Sequence, residues 1–484
     1  MVALVGLGVT PAAAAEPELG LRAEGGLVEL QRRRSARPVW FAPNVFVTAQ
    51  NSPFELRVGR ESYTDPIELN QEIEDGPTVA LDPALLDGWS GLKNFLKVVV
   101  RNSNGKVVQQ RSVTFCPNSY EAERVNDEGP GSQTYPEWCG GGPFVKGMVW
   151  GIDEGWATRA FGWDGIMFSG PDGRYRVSIS ITPKYTEIFD IDPSATSARV
   201  NVKVKTVKRS GGGCHYCEPH GFRSSSESDE MQQSAAVPDM DNPDPSLLPD
   251  LVSLPAWGMD VRRQRKQDFL RFAATVWVGG ASGLHVEGFR RPSQDVMDAY
   301  QYFYQDGEIV GRAPVGTFEF DDRRGHTHWH FRQFAEYRIV DASNNQVVKS
   351  TKEAFCLVPT DAIDLSLEGA QWRPDHIGFG GSACGHEGSL WVKEVLPLGW
   401  GDTYMQSRPG QSFNVTDLPN GTYFIEVEAN PGGNLHDGDP GNNVERRKIK
   451  LRGKPGARFV KVPPWNGIDT EGWWDQGFMR SLHG

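Results

Sequence analysis

The stretch NGKVVQQRSVTFC, residues 104–116, occurs again in altered form as NNQVVKSTKEAFC, residues 344–356. Two further stretches recur in the same order: GWATRA (155–160) as GWGDTY (399–404), and GRYRVSISITP (173–183) as GTYFIEVEANP (421–431). The spacing between copies stays at about 240 to 248 residues. Self-similarity at a nearly fixed period is typical of a repeated structural unit. The sequence therefore predicts two tandem domains related by internal duplication.

The repeated segments also indicate the type of secondary structure. Apolar and polar residues alternate in YRVSISI, ARVNVKVKTV, TYFIEVEA and RRKIKL, which is typical of strands with one buried face. The chain is rich in glycine (55) and proline (33), and DG, NG and PG turns separate the strands. We expect an all-β protein of two tandem β-sandwich-like domains with long loops.

A polar run between the copies marks the domain boundary. It contains SGGG, SSSESDEMQQS and PDMDNPDPSLLPD, whose Ser, Asp and Pro residues cannot form a core. The first residues, MVALVGLGVTPAAAA, are apolar and end in small residues, as in a secretory signal peptide. The expected organisation is a signal peptide at 1–15, an N-terminal domain at 16–208, a linker at 209–248 and a C-terminal domain at 249–484. We expect a secreted protein.

Charge and length restrict the partners. The chain has 50 basic and 62 acidic residues and a formal net charge of −12, so it lacks the basic surface that nucleic acid or an anionic membrane requires. No stretch after the first fifteen residues contains the roughly 18 apolar residues that a membrane-spanning helix needs. We therefore expect neither nucleic acid nor membrane as a partner.

Six cysteines in an exported chain suggest three disulfides. In each copy a second cysteine follows the first at a comparable distance, which predicts the bridges Cys116–Cys139 and Cys356–Cys384. The remaining cysteines lie in GGGCHYCEPHG, residues 211–221. This pair, Cys214 and Cys217, forms either a short-loop disulfide or, with the two histidines of that stretch, a zinc site.

Three of the ten histidines alternate along GHTHWHF, as His326, His328 and His330. On a strand, residues two apart project from the same face, so three imidazoles would converge on one side of a sheet. Imidazole suits copper, zinc, nickel or iron, and the pattern alone does not name the metal. The corresponding stretch of the first copy, around LLDGWSGLKNF (85–95), contains no histidine. The histidines are therefore expected to serve a function that only the second copy has.

The second copy differs from the first at two further positions. Lys352 stands where the first copy has Ser112, and Tyr404 stands where it has Ala160.

Together with the histidines, these residues resemble the lysyl oxidase family. The resemblance begins at Pro249, covers about 200 residues, and rests on PDLV (249–252), HTHWH (326–330), VDAS (340–343), KEAFCL (352–357), GWGDTY, and GTYFIEVEANP followed by DPGNNVERR (439–447). It implies that His326, His328 and His330 bind copper. It also implies that Lys352 and Tyr404 become cross-linked as lysine tyrosylquinone.

The chemistry of the family explains these residue types. Oxidising a primary amine to an aldehyde removes two electrons that no protein side chain accepts, whereas an organic quinone does. The resemblance thus implies a secreted amine oxidase that consumes dioxygen and acts on peptidyl lysine or another primary amine. A base must also take a proton from the substrate carbon, and Asp402 and His386 are candidates between which the sequence does not decide.

The loop LHDGDPGNNVERR (435–447) gathers oxygen ligands of the kind that Ca²⁺ prefers. By itself such a loop is more often a turn. The resemblance implies a calcium site formed by Asp437, Asp439, Asn442 and Asn443, with Asp250 and the carbonyl of Leu251.

Two other function classes remain open from the residues alone. One is a non-catalytic two-domain β-sandwich used for adhesion or wall binding. The other is a hydrolase in which the three histidines hold zinc and leave a fourth position for water.

Overall fold

A computed structural model of the protein describes residues 16–32, 38–161, 165–207, 237–322, 327–350, 352, 354–374 and 384–472. In these ranges the chain consists of strands, short 3-10 turns and a single α-helix, α1 (Pro183–Ile188). The all-β prediction is confirmed. The predicted signal peptide, His326, Cys214 and Cys217 lie outside the described residues. No helix in the described ranges is long and apolar enough to span a membrane.

The chain divides into two compact units. Unit 1 comprises residues 1–59, 67–140 and 149–223, and unit 2 comprises residues 60–66, 141–148 and 224–484. Two short segments from the N-terminal half thus belong to unit 2. The described end of the predicted linker, residues 237–248, also packs on unit 2, where Leu247 lies against Phe303 and Ala313.

Among its described residues, the N-terminal half contains fifteen strands, of which β11 begins in the segment 141–148. They are β1 (Glu18–Ala23), β2 (Leu27–Arg32), β3 (Val39–Phe41), β4 (Val45–Gln50), β5 (Phe54–Gly59), β6 (Glu68–Glu72), β7 (Thr78–Leu81), β8 (Leu92–Asn102), β9 (Val107–Phe115), β10 (Glu123–Arg124), β11 (Gly147–Ile152), β12 (Trp156–Arg159), β13 (Ile166–Phe168), β14 (Gly173–Ile181) and β15 (Ser197–Thr206).

The strands of unit 2 follow. They are β16 (Pro249–Ser253), β17 (Trp257–Gln264), β18 (Gln267–Gly280), β19 (Leu284–Phe289), β20 (Val296–Gln305), β21 (Glu308–Asp321), β22 (His328–Arg332), β23 (Ala335–Val340), β24 (Gln346–Lys349), β25 (Ala354–Phe355), β26 (Asp361–Ala362), β27 (Trp391–Leu396), β28 (Trp400–Tyr404), β29 (Ser412–Asn414), β30 (Gly421–Ala429), β31 (Val444–Arg452) and β32 (Phe459–Lys461).

The two halves have partly similar strand orders. The first has sheets β1-β4-β12-β10, β11-β5-β6-β7, β13-β3 and β2-β15-β14-β8-β9. Unit 2 has sheets β16-β18-β28-β26, β25-β22-β21-β20-β19-β27 and β24-β23-β30-β31-β32. The recurring segments that contain β12 and β28 occupy matching places. β12 pairs with β4, which also pairs with β1. β28 pairs with β18, which also pairs with β16.

The alternation predicted for the half-buried strands is present. In β15 and β31 every second side chain is buried, so one face of each strand packs on the core and the other meets water. The core of unit 2 includes buried Trp257, Trp277 and Ile363, and Phe144 from the segment 141–148 joins them. This core supports β18 and β28, the strands that carry part of the site described below.

Both predicted disulfides are present. Cys116 bridges Cys139 and Cys356 bridges Cys384. The second bridge ties the segment after Lys352 to the start of the stretch that leads into β27.

Candidate active site

Two of the three predicted metal-binding histidines lie together on β22. This strand pairs antiparallel with the end of β21, with His328 opposite Asp321. The His328 and His330 rings project to the same side, with their centroids 4.5 Å apart. Trp329, between them, projects to the other side and donates a hydrogen bond to the carbonyl of His386. The local alternation of the strand thus gathers two imidazoles on one face.

A carboxylate that the sequence did not single out completes this cluster. Asp321 Oδ2 lies 3.6 Å from Nδ1 of His330, and both side chains are almost fully buried. A carboxylate beside one ring nitrogen orients the imidazole and leaves the other nitrogen to face a metal. The sequence FEFDDRRG gives no local signal for this role, because it depends on the pairing of β21 with β22.

The electrostatics of the site favour neutral imidazole. Burial lowers the pKa of His328, and the positive charges of Lys352 and Arg408 lower it further, while Asp321 opposes them. Neutral imidazole is the form that binds metals. The two imidazoles, one of them oriented by a carboxylate, therefore fit a transition-metal ion such as copper or zinc.

The predicted lysine and tyrosine are also brought together. Lys352 is buried, and its Nζ lies 3.9 Å from the centroid of the Tyr404 ring and 4.5 Å from that of Phe355. The ammonium donates a hydrogen bond to the carbonyl of Ala354, at 3.0 Å. Residues 52 positions apart in the chain are thus in direct contact.

Tyr404 is held by the segment that follows Lys352. Its hydroxyl donates to the carbonyl of Cys356 (2.9 Å) and accepts from the N–H of the same residue (2.8 Å). Burial raises the pKa of the phenol well above its ordinary value, and the charges of Asp402 and Glu394 add to this shift. The phenol therefore stays neutral and fixed under the lysine.

The backbone at Lys352 is fixed from the other side by Ser350 and Gly410. The Ser350 hydroxyl accepts from the N–H of Lys352 (3.1 Å) and donates to the carbonyl of Gly410 (2.6 Å). Gly410 has a φ of +84°, and a Cβ at this position would lie only 2.7 Å from Cβ of Lys352. A glycine is thus required here by both the backbone conformation and the close approach.

The predicted calcium ligands meet at the start of β16. Asn442 Nδ2 donates to both carboxylate oxygens of Asp250, at 2.9 and 3.0 Å, and Asp437 accepts from the N–H of Leu251 at 3.1 Å. Three buried side-chain oxygens have no hydrogen-bond partner among the described residues: Asp437 Oδ2, Asn442 Oδ1 and Asn443 Oδ1. Asp439 is exposed and accepts from the N–H of Gly441.

Buried oxygens without donors are costly. A hard cation would satisfy them, and oxygen ligands of this kind suit Ca²⁺. Burial also raises the pKa of Asp250 and Asp437, with neighbouring carboxylates adding to the shift. The residues present therefore fit a calcium ion.

The two candidates for a base are placed very differently. Asp402 is buried on β28, two residues before Tyr404 and on the same face. His386 is exposed, and its Nδ1 accepts from the N–H of Gly388.

Comparisons with known proteins agree with this geometry. The family model described as lysyl oxidase matches residues 310–460, which include the two described histidines, Lys352 and Tyr404. This region of the chain therefore matches the lysyl oxidase family.

Curated relatives match part of the chain. Lysyl oxidase homolog 4 of Mus musculus is 26% identical over 181 residues, 35% of this chain and 22% of the relative. Protein-lysine 6-oxidase of Rattus norvegicus is 30% identical over 130 residues, 26% of this chain and 28% of the relative. The Gallus gallus protein of that name is 28% identical over 130 residues, 26% of this chain and 27% of the relative. The chain thus spans about a quarter of these relatives' length.

Proposed function

We propose that the protein is a copper-dependent amine oxidase with a lysine tyrosylquinone cofactor made from its own Lys352 and Tyr404. The observation that carries the proposal is the position of Nζ of Lys352 over the Tyr404 ring, 3.9 Å from the centroid. A lysine removed from water costs free energy. Its contact with the Tyr404 ring is understandable if the two side chains are to be joined.

The metal would be held by His328 and His330, with His326 as the third ligand that the family resemblance implies. Asp321 would orient His330. Copper, when bound, supplies the redox chemistry by which dioxygen converts a phenol ring into an electron-accepting quinone. The match of residues 310–460 to the lysyl oxidase family supports this choice of metal over zinc.

The chain's own residues prepare the two side chains for this joining. The backbone of Cys356 fixes the phenol oxygen. The lysine nitrogen lies above the ring face, which is the direction from which a nucleophile attacks a ring carbon. Little movement is then needed to form the bond, which reduces the entropic cost of the step.

The proposed reaction converts a primary amine, dioxygen and water into an aldehyde, ammonia and hydrogen peroxide. Peptidyl lysine is one substrate class, supported by the likeness to proteins named protein-lysine 6-oxidase. Smaller primary amines are the other. The net charge of −12 favours approach of cationic amines in either case.

Three further features belong to the proposal. A Ca²⁺ ion bound by Asp250, Leu251 and the loop at 437–443 would connect β16 to the residues before β31. The protein would act outside the cell, as residues 1–15 and the disulfides suggest. The N-terminal half would be a degenerate copy without the metal site, which the parallel strand orders of the two halves support.

The test is amine-dependent release of hydrogen peroxide by copper-loaded protein. Lys352→Ala and Tyr404→Phe should each abolish it. Lys349→Ala and Tyr423→Phe alter one exposed lysine and one buried tyrosine elsewhere, and should leave it intact. Peroxide release that survives loss of Lys352 or Tyr404 would refute the cofactor assignment. A zinc hydrolase or an adhesion protein would release no peroxide with any of these variants.

A further inference from the structure

The backbone of residues 356–358 is hydrogen-bonded to three side chains, of which the two carboxylates are buried. Cys356 binds the Tyr404 hydroxyl. The N–H of Leu357 donates to Glu394 Oε2 at 2.8 Å, and the backbone of Val358 provides a hydrogen bond to Asp402. The segment is therefore held by one phenol and two carboxylates.

One oxygen of the Asp402 carboxylate makes no hydrogen bond to the described residues. Its side chain is 3% exposed, and its Oδ2 has no hydrogen-bond partner among the residues that the structure describes. It lies two residues before Tyr404, so both side chains leave β28 on the same side. A buried carboxylate oxygen without a donor is costly to keep, which points to a use other than packing.

The Asp402 carboxylate interacts with several charged groups of the site. The largest favourable charge interaction of its carboxylate is with Lys352, and Arg408 adds a weaker one. Asp361 opposes the ionised form, and Glu394 and Tyr404 interact with it as neighbours. The charges of Lys352 and Arg408 also act on His328, whose pKa they lower.

We propose that Asp402 is the proton acceptor for Lys352, taking a proton from its ammonium so that the free amine can add to the Tyr404 ring once dioxygen has oxidised that ring to a quinone. An ammonium has no lone pair and cannot form the bond. Transfer of one proton from Lys352 Nζ to Asp402 Oδ2 leaves a neutral amine and a neutral carboxylic acid, with no other reactant. The inference rests on the proposed function, because it concerns the formation of the same cofactor.

The position of Asp402 suits it to this task better than Glu394. Burial raises the pKa of both carboxyls well above their usual range, which makes each carboxylate a stronger proton acceptor, but Asp402 also has a favourable charge interaction with Lys352. Glu394 is also buried and has one oxygen, Oε1, without a partner among the described residues. Its carboxylate, however, lies within 4.8 Å of both sulfurs of the Cys356–Cys384 bridge. Glu394 is thus a positioning residue for the segment.

The experiment follows the covalent joining of Lys352 and Tyr404 after copper and dioxygen are added to metal-free protein. The joined peptide pair is measured by mass spectrometry after proteolysis, in wild type, Asp402→Asn and Glu394→Gln, between about pH 6 and about pH 9. Glu394→Gln is the matched control, since it neutralises the other buried carboxylate of the segment. Amide exchange of residues 352–358 checks that each variant keeps the segment folded.

We expect Asp402→Asn to slow joining by about a hundredfold near neutral pH, the usual contribution of a positioned base. The joining rate of Asp402→Asn should then rise about tenfold for each unit of increasing pH, because base from the solution removes the proton from Lys352 instead. Glu394→Gln should keep the wild-type pH profile. An Asp402→Asn variant that matches wild type in rate and pH profile would overturn the role given to Asp402 but not the proposed function. Wild-type protein that never joins the two residues would overturn the proposed function itself.

Discussion

At the scale of single residues, the site depends on contacts between residues that are far apart in the sequence. The alternation of histidines predicts that His328 and His330 share a face, and the structure places them so. The sequence also singled out Lys352 and Tyr404, but only by family resemblance and by their absence from the first copy. Asp321, Glu394 and Gly410 were missed, because each acts through a partner on another element and none stands in a recognisable motif.

Asp321 offers a test of the metal site that does not depend on activity. Asp321→Asn should weaken copper binding by about 10- to 100-fold, as loss of a carboxylate beside a ligand imidazole does. The neighbouring Asp322 is exposed, so Asp322→Asn is the matched control. Calorimetric titration of metal-free protein with copper measures both. Equal affinities in the two variants would remove Asp321 from the site.

Gly410→Ala should disturb Lys352 directly. The added Cβ would clash with Cβ of Lys352 and adopt a positive φ, so we expect a loss of about 2 to 4 kcal/mol in the free energy of unfolding. Gly433 also has a positive φ, but nothing lies within 4 Å of its Cβ position. Gly433→Ala therefore costs only the backbone strain, about 1 kcal/mol. Denaturant unfolding of metal-free protein measures the difference, and equal losses would show that the approach to Lys352 is not tight.

At the scale of elements, the strands were the most predictable feature. YRVSISI, ARVNVKVKTV, TYFIEVEA and RRKIKL all lie in strands, β14, β15, β30 and β31, because alternation of polarity directly reflects one buried face. Both disulfides were predicted from the repeat. The pairing of β21 with β22, and the contact of the segment 352–358 with β28, could not be read from the sequence, since strand pairing over long separations leaves no local signal.

The Cys356–Cys384 bridge should matter more for the site than for the fold as a whole. Replacing both cysteines by serine should cost about 2 to 4 kcal/mol of stability and speed amide exchange in residues 352–358. The Cys116–Cys139 bridge closes a loop of similar length, with a sequence separation of 23 against 28. Its double serine variant should lose similar stability without changing exchange in that segment. Unchanged exchange in both variants would contradict the role given to the bridge.

The proposed calcium site predicts a ligand-dependent stability. Saturating Ca²⁺ at about 100 times its dissociation constant should raise the free energy of unfolding by about 2.7 kcal/mol. Asn443→Ala should abolish this gain, because it removes one of the unpartnered oxygens. Asp417→Asn, which changes an exposed carboxylate elsewhere, should keep it. Thermal unfolding with Ca²⁺ and with chelator measures the effect, and a gain that persists in Asn443→Ala would reject the site.

At the scale of the whole molecule, the sequence predicted two domains of similar strand pattern. It did not predict that two segments of the N-terminal half belong to unit 2. Segments 60–66 and 141–148 belong to unit 2. Lys146 N–H donates to the carbonyl of Ile363 (2.6 Å), and Leu365 N–H donates to that of Gly147 (2.9 Å). Phe144 is 1% exposed in the unit 2 core. Apolar residues in a loop carry no information about which unit buries them.

A fragment that starts at residue 237 should therefore be unstable, because it lacks part of its own core. In the full chain, Phe144→Ala should cost about 3 to 5 kcal/mol and speed amide exchange in β18 and β28. Phe54 is equally buried in unit 1, so Phe54→Ala should destabilise the protein without that change. Exchange in β18 and β28 that is insensitive to Phe144→Ala would contradict this assignment of the segment.

We infer that Lys352 and Tyr404 lie together so that dioxygen and a metal bound at the neighbouring histidines can join them into a quinone. The decisive measurement is peptide mapping of protein matured with copper and dioxygen, together with its visible spectrum. We expect Lys352 and Tyr404 to be recovered in one covalently joined peptide pair with a quinone absorption band. Copper-saturated, oxygen-exposed protein that yields both residues unmodified and no band would contradict it.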